Sequence, residues 1–350
     1  MSKCDVEIRL DEHDRTYAPG ERIRGHVAVT TDQAVRCKGL TVTLQWRTHG
    51  RGNRDAGPES KVQLFQGEWG GGEQHAYGFE FIAPSGPATY HGTFVNVDHY
   101  LTARVDLPWA LDPKAETEIL LVPPAGAREY DFGPSYKPPA TELKREGSAL
   151  AVGSLLTAGC FGVPGLAIIA GGIGFAVSYL RGSSQEGIFP AIFMLLFGGV
   201  FAVVGFGLAF VLQKRNVARR KLGDPLVNVT PTTARPGDRV SVQITLQPRS
   251  SLTLAGAVAV LKGRERAVSG SGTNRTTHTH DLHGQEVGLG APPQLEAGQM
   301  ASFKASLQVP ADAAPTFAAG DNDVKWMVEL RIGIAGWPDW EREYPIDVRP

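Results

Sequence analysis

The side chains best suited to chemistry are three histidines of the carboxyl-terminal half, His278, His280 and His283, within the run HTHDLH. On a β-strand, His278 and His280 would project from one face, where two imidazoles can bind Zn²⁺. With His283 they would suit a metal-dependent hydrolase. We favour the alternative, a solvated strand at a sheet edge, because nine histidines in the whole chain leave few to complete a coordination sphere. We therefore predict no bound metal.

Other residues with chemical potential give weaker signals. Asp321 and Asp323 flank Asn322 and could hold Ca²⁺ in a loop, but a solvated turn explains them better. The triplet at 70–72 indicates a turn, since the chain has no Gly-Lys-Ser/Thr phosphate loop, no G-x-S-x-G turn and no cysteine in a catalytic motif. We predict a protein that is not an enzyme and needs no cofactor. Tryptophans near Gly- or Pro-containing loops could anchor a partner, although half-buried core edges are the interpretation we favour: Trp69, Trp109, Trp337 and Trp340.

Two long uncharged segments lie in the middle of the chain, between its amino-terminal and carboxyl-terminal halves. Residues 149–180 and 187–213 contain no Asp, Glu, Lys or Arg. A helix needs roughly 20 apolar residues to cross the hydrocarbon core of a bilayer. We predict two transmembrane helices, at 148–181 and 188–213, joined by a short loop at 182–187.

The charges beside these helices predict their orientation. Basic residues precede the first helix and follow the second, whereas the loop offers only Arg181, offset by Glu186. The positive-inside rule then places both flanking parts in the cytoplasm, at the inner or plasma membrane. An amino terminus without an apolar signal-peptide core and three sparse cysteines agree with a reducing compartment. The reversed topology would describe an extracytoplasmic adhesion or surface module.

Small residues recur four positions apart in both segments, a spacing that lets helix backbones approach closely. Between 149 and 180 and between 188 and 213 there is no Asp, Glu, Lys, Arg or His, which argues against a transporter or pump. The spacing predicts either packing of the hairpin on itself or contact with a second copy in a homo-oligomer. The residues concerned are Ala167 and Gly171, Ala170 and Gly174, Gly198 and Ala202, and Gly205 and Ala209.

The flanking halves show the period-two alternation of β-strands. Short alternating runs are separated by turns that contain Gly or Pro, a pattern typical of an antiparallel sandwich. We predict an all-β soluble part made of two immunoglobulin-like sandwiches. Representative runs are Ile23, Val27 and Val29; Leu101, Ala103 and Val105; Val240, Val242 and Ile244; and Trp326, Val328 and Leu330.

The two halves also resemble each other. Residues 19–23, PGERI, match residues 236–240, PGDRV, and residues 72–84 match 298–310 with the apolar phase preserved. Because the offset between matches changes only between strands, we interpret the pattern as a tandem duplication with loop insertions. The predicted organisation is a sandwich at 1–126, a Pro-rich linker at 127–147, the helical hairpin, a basic linker at 214–224 and a second sandwich at 225–350.

The first half resembles the arrestin family. Members of that family have a turn of the form Tyr-x-Pro-Gly-Glu before a strand with Gly-x-Val, here residues 17–27, YAPGERIRGHV. A Gly-Leu-x-Val-x-Leu strand follows at 39–44, then Gly72-Glu73 and an aromatic-x-Phe-x-x-Pro ending at 79–84, FEFIAP. An aromatic-bearing strand completes the set at 99–105, HYLTARV.

The resemblance implies two arrestin-like sandwiches that bind protein partners and do no catalysis. It covers residues 5–124 closely and residues 225–350 through the internal repeat, and this chain departs from the family by its membrane hairpin. We expect a membrane-anchored scaffold whose partners are proteins and the lipid bilayer. A net charge of −1 gives no electrostatic basis for binding nucleic acid. We expect the two sandwiches to dock on each other despite the inserted helices. Abundant Arg, Ala and Gly suggest a bacterial source.

Overall fold

The computed structural model describes residues 4–109, 111–123, 158–183 and 187–349. The predicted Pro-rich linker at 127–147 lies outside the described residues, as does the first part of the first predicted helix.

The amino-terminal part is a sandwich of two sheets. One sheet has the strand order β1 (Cys4–Leu10), β3 (Arg22–Thr31), β6 (Gln74–Ile82). The facing sheet has the order β2 (Thr16–Tyr17), β9 (Lys114–Leu121), β8 (Val95–Asp106), β4 (Val35–Gly50), β5 (Ser60–Trp69), with β7 (Tyr90–His91) also paired to β8. The period-two alternation directs Ile23, Val27, Leu40 and Leu101 between the sheets, where each is fully buried. Each such side chain stabilises the fold by about 1.5–3 kcal/mol.

The carboxyl-terminal part repeats this architecture. Its smaller sheet has the order β10 (Leu226–Thr230), β12 (Arg239–Leu246), β16 (Ala301–Gln308). Its larger sheet has the order β11 (Thr233–Ala234), β19 (Trp337–Val348), β18 (Asn322–Ile334), β13 (Leu252–Ser269), β14 (Thr276–Gly288), with β15 (Gln294–Leu295) on β13 and β17 (Phe317–Ala318) on β18. Val240, Val242, Val328 and Leu330 are fully buried between the two sheets, as the alternation predicts.

The two sandwiches share their strand order and their corners. At the start of β3, the Gly20 amide donates to the Ala83 carbonyl at 3.0 Å, and at the start of β12 the Gly237 amide donates to the Val309 carbonyl at 3.0 Å. Both glycines have positive φ angles, +81° and +86°, which glycine adopts without strain. Ala83 and Val309 each precede the proline that ends the second matched segment. The matching contacts are those that a tandem duplication predicts.

Within the described residues, the two uncharged segments form a helical hairpin. A π-helical turn, Ala158–Gly162, leads into α1 (Val163–Leu180), and α2 spans Phe189–Leu222. The stretches Gly159–Leu180 and Phe189–Val211 are long and apolar enough to cross a membrane. At 1.5 Å per residue they are about 33 and 35 Å long. Only 17% of each apolar window is buried within the chain, unlike the core helix of a soluble domain.

The segment at 214–224, expected to be a basic linker, instead continues α2 as far as Leu222. Ala218 and Leu222 lie one turn apart and are buried in the core of the second sandwich, at 2% and 0% exposure. The Arg249 amide donates to the Lys221 carbonyl at 2.8 Å, and Gly223, with φ of +82°, ends the helix. The second sandwich is therefore packed directly onto the end of the hairpin.

Candidate functional site

The two sandwiches dock on each other through an apolar contact, here called the junction. Trp46, Val95 and Val97 of the first sandwich form one cluster with Ala267, Phe317 and Val324 of the second. Trp46 and Phe317 meet edge to face, with ring centroids 5.7 Å apart. The end of β4 and the start of β8 thus meet the corresponding ends of β13 and β18. Equivalent ends of the duplicated domains form the contact, as expected of a docked pair.

A buried glutamate joins the sandwiches beside this apolar cluster. Glu265, on β13, is fully buried and accepts hydrogen bonds from the Tyr90 hydroxyl at 2.6 Å and the Thr93 and Phe94 amides at 3.1 and 2.8 Å. Burial raises the pKa of Tyr90, and the hydrogen bond to Glu265 raises it further. Backbone amides and a hydroxyl from one domain therefore satisfy a charged group of the other.

Side-chain amides form the second polar part of the junction. The Asn322 amide nitrogen donates to the Asn53 carbonyl and to an Asp55 carboxylate oxygen, both at 2.7 Å. The Asn53 amide nitrogen donates in turn to Asp321 at 2.7 Å, and the Asn53 backbone amide donates to the Val268 carbonyl at 2.8 Å. These bonds cross between the domains in both directions, so they fix the domains' relative position.

The segment at 321–323 is part of this junction. The prediction of a solvated turn is wrong, because Asn322 and Asp323 are 1% and 2% exposed. Arg275 pairs with Asp321, and Arg266 pairs with Asp323. Both carboxylates compensate arginines, and Asp321 also accepts a hydrogen bond from Asn53 across the junction.

The three histidines of β14 pack against aromatic rings. The centroids of His278 and His280 lie 6.3 and 5.5 Å from that of Phe94 in the first sandwich, and His283 lies 6.0 Å from Trp326. Within the described residues, these three do not form a group whose donor atoms are close enough to hold one metal ion. β14 is the edge strand that the sequence predicted, but its histidine side chains are half-buried near the junction.

The four candidate tryptophans have different surroundings. Trp69 and Trp340 are 2% and 6% exposed and belong to the two cores. Trp337 lies beneath the Lys221 ammonium, 4.8 Å from the ring centroid, and contacts the end of α2 in this way. Trp109, between β8 and β9, is fully exposed. Of the four, it alone has the accessibility that a partner anchor needs.

The helix seam contains some of the predicted small residues. Gly198, Ala202 and Gly205 of α2 are buried, and Gly162 of the π-helical turn and Gly165 of α1 contact them. Ala209 of α2 is partly buried. The predicted residues of α1 are exposed: Ala167, Ala170, Gly171 and Gly174. A Cβ at Gly171 would lie near Met194 only. Packing by these four stays a prediction.

The sequence pattern did not identify the polar residues of the junction, because each is a single polar residue in a strand whose other inward-facing residues are apolar. Glu265 is in phase with the buried Leu261 and Ala267, and Asn322 is in phase with Val324 and Trp326. A polar residue at an inward position is the signal that could have identified each one.

Comparisons with known proteins add little to this geometry. No family model matches the chain, and no curated protein does. Among solved structures, the chain is similar to the crystal structure of Spo0M, sporulation control protein, from Bacillus subtilis. The match has 20% identity and a TM-score of 0.30, and it covers 35% of this chain and 50% of that chain. The match spans only half of that protein.

Proposed function

We propose that this chain is a membrane-anchored, arrestin-like scaffold that holds protein partners at the cytoplasmic face of the membrane and does no catalysis. The observation that carries the proposal is the continuity of anchor and domains. α2 ends inside the core of the second sandwich, and the junction joins that sandwich to the first. A protein built in this way presents a paired β surface at a fixed place beside a bilayer.

The hairpin supports the membrane part of the proposal. Both helices have the length and composition of a bilayer span, and their side chains are mostly exposed, as lipid-facing residues are. Basic residues follow the apolar part of α2, including Lys214, Arg219, Arg220 and Lys221. Their position favours the cytoplasmic side for both sandwiches.

The loop between β8 and β9 supports the partner-binding part. Trp109 and Leu111 are 103% and 95% exposed, and Pro108 and Pro113 lie beside them. Tryptophan is among the residues that supply much of the binding energy in protein interfaces. The loop also lies at the end of β8 remote from the junction, so docking of the sandwiches leaves it free.

Photo-crosslinking in native membranes tests the proposal. A photoreactive amino acid in place of Trp109 should give discrete protein adducts, which Leu111→Asp should abolish. The matched control is the same probe at Met300, an exposed apolar position of the second sandwich at 71% exposure, where we expect no such adducts. Equal adducts at both positions, or lipid adducts alone at Trp109, would contradict partner binding at this loop.

A further inference from the structure

Four side chains from four strands of the first sandwich converge on the outer face of its larger sheet. Asp98 lies on β8, on the face opposite to the core residues Leu101 and Ala103. His49 comes from the end of β4, His91 from β7 and Glu118 from β9. We propose that His91, Asp98 and Glu118 bind a divalent transition-metal ion such as Zn²⁺, with His49 orienting Asp98.

The donor atoms are already gathered. One ligand atom each from His91, Asp98 and Glu118 lies within 4.8 Å of the others. His91 Nε2 is 2.6 Å from Asp98 Oδ1. Bonds of about 2.0–2.2 Å to tetrahedral zinc would place such donors about 3.4 Å apart. His91 and Glu118 are exposed, so their side chains can make this adjustment without moving a strand.

The burial of Asp98 indicates a cation rather than a solvated acid. Its side chain is 1% exposed, and the partners of its two oxygens are the imidazoles of His49 and His91, not an arginine or a lysine. A buried carboxylate requires a compensating charge. A divalent ion held by His91 and one Asp98 oxygen would supply it.

His49 has the position of an outer-shell partner. It contacts Asp98 Oδ2, whereas His91 contacts Oδ1. Carboxylates that bind metals are commonly held by a hydrogen bond of this kind on the second oxygen. One imidazole nitrogen and two carboxylates form a mixed donor set that suits zinc and its neighbours better than Ca²⁺ or Mg²⁺.

The site would also affect the junction. His91 is followed directly by Gly92, Thr93 and Phe94, and the amides of the last two donate to Glu265 of the second sandwich. An ion that holds His91 would order this segment in the conformation that binds Glu265. Metal binding would therefore favour the docked pair of sandwiches.

Zinc titration of the full-length chain in detergent tests the proposal. After treatment with a chelator, the protein competes with a chromophoric zinc indicator. We expect one Zn²⁺ per chain, with affinity at least tenfold weaker in His91→Asn and in Glu118→Gln. Both replaced residues are exposed, so these variants should keep the fold, and circular dichroism checks this. His49→Ala should weaken binding about ten- to a hundredfold, as loss of an outer-shell partner does.

The matched control is His283→Ala, which removes a histidine of the other domain that contacts Trp326 rather than Phe94 and should leave zinc affinity unchanged. Zn²⁺ should raise the melting temperature of the native chain and of this control, but not that of His91→Asn. The proposal is overturned if the native chain binds zinc no better than His91→Asn. It is equally overturned if the control variant, rather than His91→Asn and Glu118→Gln, loses the ion.

Discussion

Removing the Glu265 carboxylate should loosen the two sandwiches without unfolding either one. Glu265→Ala leaves the Tyr90 hydroxyl and the Thr93 and Phe94 amides without their acceptor. An unsatisfied buried donor costs about 1–3 kcal/mol. Thr93 and Phe94 lie near solvent and can recruit water, so we take the lower end of this range, about 1 kcal/mol for each donor. The three donors together then cost about 3 kcal/mol.

Hydrogen exchange measures this loss at a remote position. The Asn53 amide donates across the junction to Val268, and Asn53 does not contact Glu265 in the bonds that define the junction. We expect the Asn53 amide hydrogen to exchange when the sandwiches separate, because separation breaks this bond. Since each 1.36 kcal/mol is a factor of ten, a loss of about 3 kcal/mol should accelerate its exchange roughly a hundredfold. Amides of β4 that pair with β8 inside the first sandwich should exchange at their original rates.

Two further variants sharpen the result. Gly92→Ala should act in the same direction, because a Cβ at that position would collide with Glu265 Oε1. Glu286→Ala removes an exposed carboxylate of the neighbouring strand β14 and should leave Asn53 exchange unchanged. Unchanged exchange in Glu265→Ala would refute the conclusion that Glu265 stabilises the docked pair. Acceleration of equal size in Glu286→Ala would refute it as well.

Two other predictions concern the hairpin and the first sandwich. Gly165→Ala should lower the temperature at which the detergent-solubilised protein aggregates, because its Cβ would lie 2.5 Å from a backbone nitrogen of α2. Gly174→Ala should not lower that temperature, because no atom lies within 4 Å of the added Cβ. Equal effects of the two variants would refute the assigned helix seam. Burial alone would raise the pKa of Glu116, but hydrogen bonds from Arg47, Lys114 and a threonine outweigh it and lower the pKa from 4.5 to about 2. The stabilisation that ionised Glu116 contributes is therefore present above pH 4.5 and lost towards pH 2. Acid unfolding of Glu116→Gln should depend less on pH in this range than that of the native chain. An unchanged pH profile would contradict this.

The fold could be predicted from the sequence where one physical rule dominates. Period-two alternation identified the strands of Val328 and Leu330, and both residues are fully buried. The matched corners at Gly20 and Gly237 followed from turn chemistry that does not depend on distant residues. The end of α2 was misread because its basic residues obscured Ala218 and Leu222, which have helical spacing and enter the second core.

The functional geometry could not be predicted in the same way. Glu265 finds its partners about 170 positions away, through docking that no local pattern encodes. His49, His91, Asp98 and Glu118 have no motif spacing, and the pairing of four strands brings them together. The histidine run at 278–283, in contrast, has a suggestive spacing, but its rings pack against aromatic residues.

Measuring the membrane topology tests most directly the central claim that one hairpin anchors two docked sandwiches on the cytoplasmic face. Single cysteines at Ser183, Ser60 and Ser271, all exposed, can be treated with a membrane-impermeant maleimide on intact cells. Cys160→Ala is a sufficient background, because the two native cysteines of the first sandwich are buried. We predict that Ser183→Cys reacts from outside, and that Ser60→Cys and Ser271→Cys react only after permeabilisation. Reaction of either sandwich position in intact cells would contradict the account.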